Sequence, residues 1–145
     1  MRYFKILLFL AAPLHSQTYT EIIDYCRVVS DYYEIPPELL PAIIRVESDF
    51  RPDAVSHKLA YGLMQVKECV YIDYKRRNPH SRYTSFEQVK NDWRCNIWMG
   101  AWYLKRVCYA QKGNWRDAIT AYNYGPWCPS PGQNYLEKVE NSQKK

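Results

Sequence analysis

The chain has 145 residues, which fits one domain that is large enough to bury a core. Its 47% apolar content indicates a globular protein, and its formal net charge of +5 is not gathered into the compact basic stripe typical of nucleic-acid-binding proteins. The five cysteines form no CxxC pair and only three histidines are present, so a zinc site is not expected. We therefore predict no cofactor, no metal and no nucleic-acid partner.

Residues 1–16 have the pattern of a secretory signal peptide, with two basic residues before a short apolar run over 6–14. This run is too short to cross a bilayer, so it predicts no stable membrane anchor. We place cleavage after Ser16, which leaves residues 17–145 as the mature domain, exported to the periplasm or secreted. A buried first helix is the alternative interpretation.

Apolar residues at helical spacing predict a first helix over 18–33. Pro36 and Pro37 end it and begin a second helix, which reaches Ser48. Further helices are predicted over 63–74, 85–110, 115–123 and 134–140, separated by loops rich in glycine, proline and polar residues. No convincing strand appears, although a small hairpin within 49–66 stays open. The prediction is one mainly α domain.

Two helix starts carry a capping signal. Ser85 and Gln88 have the spacing of a capping box, and Asn114 is a candidate N-cap for the helix over 115–123.

Glu47 stands out because it lies on the apolar face of the second helix. Leu40, Ile43 and Ile44 lie seven, four and three positions before it, and residues at these spacings share one side of a helix. A carboxylate there must be paired, be protonated through desolvation or line a cleft. A glutamate with a raised pKa is suited to general acid catalysis on a sugar leaving group. The alternative is that this last-turn side chain simply reaches water.

Four blocks of sequence and a short closing run, in order, resemble the soluble lytic transglycosylase family. The first two are ESDFRPDAVS, which begins at Glu47, and AYGLMQV, which begins at Ala60; they are similar to ES-x-F-x-P-x-A-x-S and G-A-x-G-L-M-Q. NIWMGAWYL, from Asn96, is similar to NI-x-x-G-x-x-YL. AYNYGP, from Ala121, is similar to AYNAGP, and Tyr135 begins a run like the closing Y-V-x-K-V.

The resemblance implies a lysozyme-like helical fold of the goose-type and soluble lytic transglycosylase class, with a glycan-binding cleft. It also implies cleavage of the MurNAc–GlcNAc bond of peptidoglycan without water, leaving a 1,6-anhydro-MurNAc end. Glu47 would protonate the glycosidic oxygen and then take a proton from the sugar's C6 hydroxyl. A hydrolase of the usual kind sets two carboxylates across the bond, whereas no second carboxylate is obvious here.

By motif position, the resemblance also assigns substrate contacts to Ser56, Gln65 and Tyr122, with Met64 and Asn123 nearby. The alternatives are that Met64 fills the core and that Asn123 caps a helix end. The chain departs from the family pattern where Leu59 replaces a glycine, which would display His57 and Lys58 beside the cleft, and at Glu68 and Tyr124.

Short members of the family resemble this chain in having one domain, and they serve trans-envelope machines such as secretion or conjugation systems. The expected partners are thus peptidoglycan glycan strands and components of such a system. Two alternatives stay open: a goose-type lysozyme-like hydrolase, and a non-catalytic glycan-binding assembly protein on the same scaffold.

The cysteine prediction rests on the same resemblance. Short secretion-associated relatives have one cysteine before the Ile-Pro break and one before the NI-like block, which implies a Cys26–Cys95 disulfide. The alternative is two buried free thiols. Cys108–Cys128 is a second, weaker pairing, and it would leave Cys69 free.

Overall fold

The computed structural model describes residues 14–126 and 134–144. They form eight α-helices with one π-helical segment between the fifth and sixth, in the order α1 Leu14–Tyr33, α2 Leu39–Ser48, α3 Glu68–Arg77, α4 Phe86–Asn91, α5 Trp93–Tyr103, the π-helical segment Leu104–Tyr109, α6 Ala110–Lys112, α7 Trp115–Tyr124 and α8 Asn134–Gln143. The mainly α prediction is confirmed.

Both predicted capping signals are present. Ser85 and Gln88 form the capping box of α4, and the Asn114 side chain accepts a hydrogen bond from the backbone N–H of Asp117 at the start of α7. The helix predicted over 63–74 is displaced, because residues 63–67 form a turn and α3 begins only at Glu68.

The single long helix predicted over 85–110 is wrong in two places. Asp92 is extended and caps α5 by accepting a hydrogen bond from the Arg94 N–H at 2.9 Å, so it separates α4 from α5. Farther on, the chain widens into the π-helical segment, against which α7 packs. The regular apolar spacing carries no sign of this wider turn, which is set by tertiary packing.

The core is organised around α5, which packs against α1, α3 and α4, while α2 packs against α8 and α1. The buried side chains of α1, α2, α5 and α8 belong to one apolar cluster. In the segment between α2 and α3, Tyr61 forms isolated antiparallel bridges with Val55 and Val66. These bridges are all that corresponds to the hairpin left open over 49–66.

The predicted Cys26–Cys95 disulfide is not formed in the structure, where both are free thiols. Cys26 lies on α1 and Cys95 on α5; both are fully buried, and burial raises the pKa of each thiol to about 12. Burial therefore favours the neutral thiol over the thiolate at both positions. Cys69 is free and exposed, and Cys108 is free and buried. Cys128 lies outside the described residues.

The predicted signal peptide overlaps residues 1–13, which also lie outside the described part. Helix α1 already begins at Leu14, so the predicted boundary after Ser16 falls in its first turn. Over the ranges 14–126 and 134–144, no helix is both long and apolar enough to cross a membrane.

Candidate active site

Glu47 lies in the last turn of α2, on the helix face that packs into the core. Leu40, Ile43 and Ile44 on the same face are completely buried, and Glu47 itself is half-buried at the edge of a cleft. The helix ends at the next residue, Ser48, and its C-cap Asp49 has a left-handed conformation with φ of 51°. Glu47 thus shares the buried face of α2 with apolar residues, and its carboxylate lies where that face meets the cleft.

One hydrogen bond holds this carboxylate: Tyr135 on α8 donates from its hydroxyl to Glu47 Oε1 at 2.6 Å. The Asn123 side chain lies near enough to affect its pKa. Burial raises the pKa of Glu47 above its usual value, while Tyr135, Asn123 and the charge of Lys67 act in the opposite direction. The net direction is upward, as a general acid requires.

The segment after α2 is tied to its surroundings by buried polar side chains. Ser48 donates a hydrogen bond to the carbonyl of Leu63 at 2.8 Å. Asn96, fully buried on α5, accepts one from the Met64 N–H at 2.8 Å and donates to the carbonyls of Tyr61 at 2.7 Å and Val89 at 3.1 Å. These bonds fix one wall of the cleft to the core.

Gly62 makes this arrangement possible. Its φ is +73°, and a Cβ at this position would lie 2.4 Å from Asn96 Nδ2. A side chain there would push Asn96 away from the backbone groups that it binds.

Ser56 and Gln65 line the cleft. The Ser56 hydroxyl accepts a hydrogen bond from the Ala60 N–H at 3.1 Å, which closes the turn between them. Gln65 donates from Nε2 to the carbonyls of Ala54 at 3.2 Å and Gly62 at 3.0 Å. Because its amide nitrogen is engaged in this way, the amide oxygen is the group that remains for other contacts.

Tyr122 and Asn123, at the end of α7, line the cleft as well. Met64 does not: it is completely buried beneath the cleft, and its carbonyl accepts a hydrogen bond from the Tyr122 hydroxyl at 2.7 Å. Gly100 allows this close packing, since a Cβ there would lie 2.7 Å from Met64 Sδ and 2.9 Å from the Tyr122 hydroxyl. Met64 therefore lies beneath the cleft and positions Tyr122 through this hydrogen bond.

The cleft has a volume of about 370 Å³, within the range of ligand-binding clefts. Of the described residues that line it, Glu47 is the one with a carboxylate. Asp49 is exposed beside Arg45 on the other side of the helix, and Asp53 is exposed in the following loop. Neither aspartate is among the described residues that line the cleft.

Tyr135 and Lys67 belong to the site although neither was predicted there from sequence. Tyr135 was visible as the first residue of the closing motif, but nothing in that pattern shows that its hydroxyl reaches Glu47 across 88 positions of sequence. Lys67 lies at the N-cap of α3, whose start was placed too early. Within the described ranges, no group of three or more His, Cys, Asp or Glu side chains could hold a metal ion.

The chain is similar to a known protein family and to solved structures. The family model of the transglycosylase SLT domain matches residues 24–144. The 70 kDa soluble lytic transglycosylase SLT70 from Escherichia coli superimposes with a TM-score of 0.64 at 27% identity, over 83% of this chain and 18% of that chain. A complex of the 70-kDa soluble lytic transglycosylase with bulgecin A gives a TM-score of 0.63 at 26% identity, with the same coverage.

An inactive mutant of the lytic transglycosylase Slt from Pseudomonas aeruginosa shares the fold, with a TM-score of 0.58 at 22% identity over 90% of this chain and 22% of that one. The chain thus spans about a fifth of the length of these structures. The helical, lysozyme-like fold expected from the resemblance is confirmed. Because the family match covers most of its length, the chain belongs to the transglycosylase SLT domain family.

Proposed function

We propose that the chain is a peptidoglycan lytic transglycosylase that cleaves the MurNAc–GlcNAc β-1,4 bond and leaves a 1,6-anhydro-MurNAc end. The observation that carries the proposal is Glu47: a carboxylate with a raised pKa and a hydrogen bond from Tyr135, in a cleft with no second carboxylate among its described lining residues. The family match and the similarity to SLT70 support it.

In the proposed reaction Glu47 acts twice. Its protonated carboxyl gives a proton to the glycosidic oxygen as the C1–O bond breaks, which releases the GlcNAc hydroxyl. The resulting carboxylate takes the proton of the MurNAc C6 hydroxyl, whose oxygen bonds to C1. The residue ends protonated, ready for another cycle, and no water is consumed.

The neighbouring side chains have distinct parts in this scheme. Tyr135 and Asn123 fix the orientation of the carboxylate and stabilise its ionised form between the two proton transfers. Ser56, Gln65 and Tyr122 line the cleft, where they would contact the N-acetyl sugar. Met64 and Gly100 act only through Tyr122.

The products test the proposal. Purified protein incubated with sacculi should release fragments that end in 1,6-anhydro-MurNAc, which borohydride does not reduce. Fragments with reducible MurNAc ends would identify a goose-type hydrolase instead. Binding without release of any fragment would identify a non-catalytic glycan-binding protein.

The pH dependence of kcat/KM should have a basic limb set by Glu47, because activity is lost as its carboxyl ionises. Tyr135→Phe should move that limb to higher pH, since the hydroxyl that it removes lowers the pKa of Glu47. Tyr74→Phe is the matched control, because the Tyr74 hydroxyl bonds Ser81. A limb that neither variant moves, or that both move equally, would contradict this role. So would wild-type activity that still rises past about pH 9.

For the biological setting we propose the periplasm, where peptidoglycan lies. Local opening of the wall for a secretion or conjugation apparatus is proposed on the sequence resemblance alone.

A further inference from the structure

Two lysines line the cleft together with Glu47. Lys58 lies in the turn between Ser56 and Ala60, and Lys67 precedes the first turn of α3. Both side chains are exposed. Among the described residues that line the cleft, Glu47 and these two lysines are the charged ones. When Glu47 is protonated, this lining has two positive charges and no negative charge.

Neither lysine makes a salt bridge or hydrogen bond from its side chain to another described residue. Several other basic side chains do: Lys90 contacts Glu87 at 2.6 Å, and Arg116 contacts Glu140 at 2.8 Å. The two ammonium groups in the cleft are thus left available to an anion from outside the described chain.

Backbone hydrogen bonds fix the segments in which both lysines lie. The turn that bears Lys58 is closed by the bonds from Ser56 N to Ala60 O at 2.9 Å and from Leu59 N to Ser56 O at 3.0 Å. Lys67 directly follows Val66, which exchanges two backbone hydrogen bonds with Tyr61. Lys67 also lies close enough to Glu47 for its charge to affect that carboxyl. Lys67 therefore lies beside the reacting group, and Lys58 lines the same cleft.

We propose that Lys58 and Lys67 make this cleft selective for glycans that carry carboxylates, over neutral N-acetylated glycans of the same length. The inference rests on the proposed function and adds a specificity determinant to it. In peptidoglycan, a carboxylate is supplied either by the lactyl group of a peptide-free muramic acid or by the stem peptide. A chitin oligosaccharide presents the same N-acetyl sugars with neither.

The test is calorimetric binding in the Glu47→Gln background, which prevents turnover. Three tetrasaccharides are compared: chitotetraose, a peptide-free GlcNAc–MurNAc tetrasaccharide and its peptide-bearing form. Adding Lys58→Met and Lys67→Met should weaken binding of one or both carboxylate-bearing glycans about five- to tenfold, the effect of two solvent-exposed ion pairs. Chitotetraose binding should change less than about twofold, and the difference should shrink as salt is raised.

The matched control replaces Lys138 and Lys144 by Met, which removes the same charge from two exposed positions outside the cleft lining. It should leave all three affinities unchanged. A loss on the peptide-free glycan identifies the lactyl carboxylate, and a loss confined to the peptide-bearing glycan identifies the stem.

Equal effects of the cleft substitutions on all three glycans, or no effect on any, would overturn the inference and leave the proposed function standing. Failure of every glycan to bind, even with both lysines in place, would overturn the two together.

Discussion

Glu47→Gln is expected to lower the rate of fragment release from sacculi by at least about a thousandfold, since the amide can neither donate the first proton nor accept the second. The substitution keeps the size and shape of the side chain, and its amide oxygen can still accept the hydrogen bond from Tyr135. Glycan binding should therefore survive. The measurement is release of soluble fragments by equal amounts of the two proteins, and activity within tenfold of wild type would contradict the assignment.

The variant should also be as stable as wild type, or more stable, at neutral pH. Because the folded-state pKa of Glu47 is raised, its contribution to stability is fully present below the unfolded pKa and is lost as pH rises through the folded pKa. Glutamine does not ionise, so the variant does not lose stability in this way as pH rises. The gain in melting temperature of Glu47→Gln should be present at about pH 8 and vanish near about pH 4, the region of an unperturbed carboxyl.

The control for activity is Glu68→Gln, which changes an exposed glutamate in the first turn of α3 that does not line the cleft. Its rate should stay within about twofold of wild type, as for a surface substitution away from the site.

Asn96→Ala is expected to lower the free energy of unfolding by about 3–4 kcal/mol, because it leaves three buried or partly buried backbone groups without a hydrogen-bond partner. These are the Met64 N–H and the carbonyls of Tyr61 and Val89. Chemical denaturation measures the cost. Activity should fall at temperatures where the variant is still folded, since Gln65 follows directly after the bonded segment.

Asn96→Asp separates hydrogen bonding from packing. The aspartate keeps the volume and the acceptor for Met64 but loses both donors and introduces a buried charge, so it should destabilise at least as much as alanine. Asn91→Ala is the control: that exposed side chain bonds only within α4, to Glu87, and its loss should change stability by less than about 0.5 kcal/mol. Full stability of the aspartate variant would contradict the account.

The position of Glu47 followed from sequence because helical periodicity is a local property. Leu40, Ile43 and Ile44 define the buried face, and any residue in phase with them shares it. The caps at Ser85 and Asn114 were predictable for the same reason, since each bonds within its own first turn.

What was missed depends on contacts between distant segments. The π-helical segment at Leu104–Tyr109 and the partnership of Tyr135 with Glu47 have no local signature. Met64 was expected near the substrate contacts, with core packing as the alternative, and the choice between the two depends on the tertiary packing that buries it beneath Tyr122. The predicted Cys26–Cys95 bridge came from relatives, and the chain instead buries two free thiols.

The most direct test of the central claim is cleavage of sacculi in water enriched in oxygen-18. If the MurNAc C6 hydroxyl closes on C1 with Glu47 as the acid and base, the new MurNAc ends carry no heavy oxygen and have the mass of an anhydro sugar, one water lighter than a reducing end. One heavy oxygen at each new end would show that water is the nucleophile, which would contradict the account.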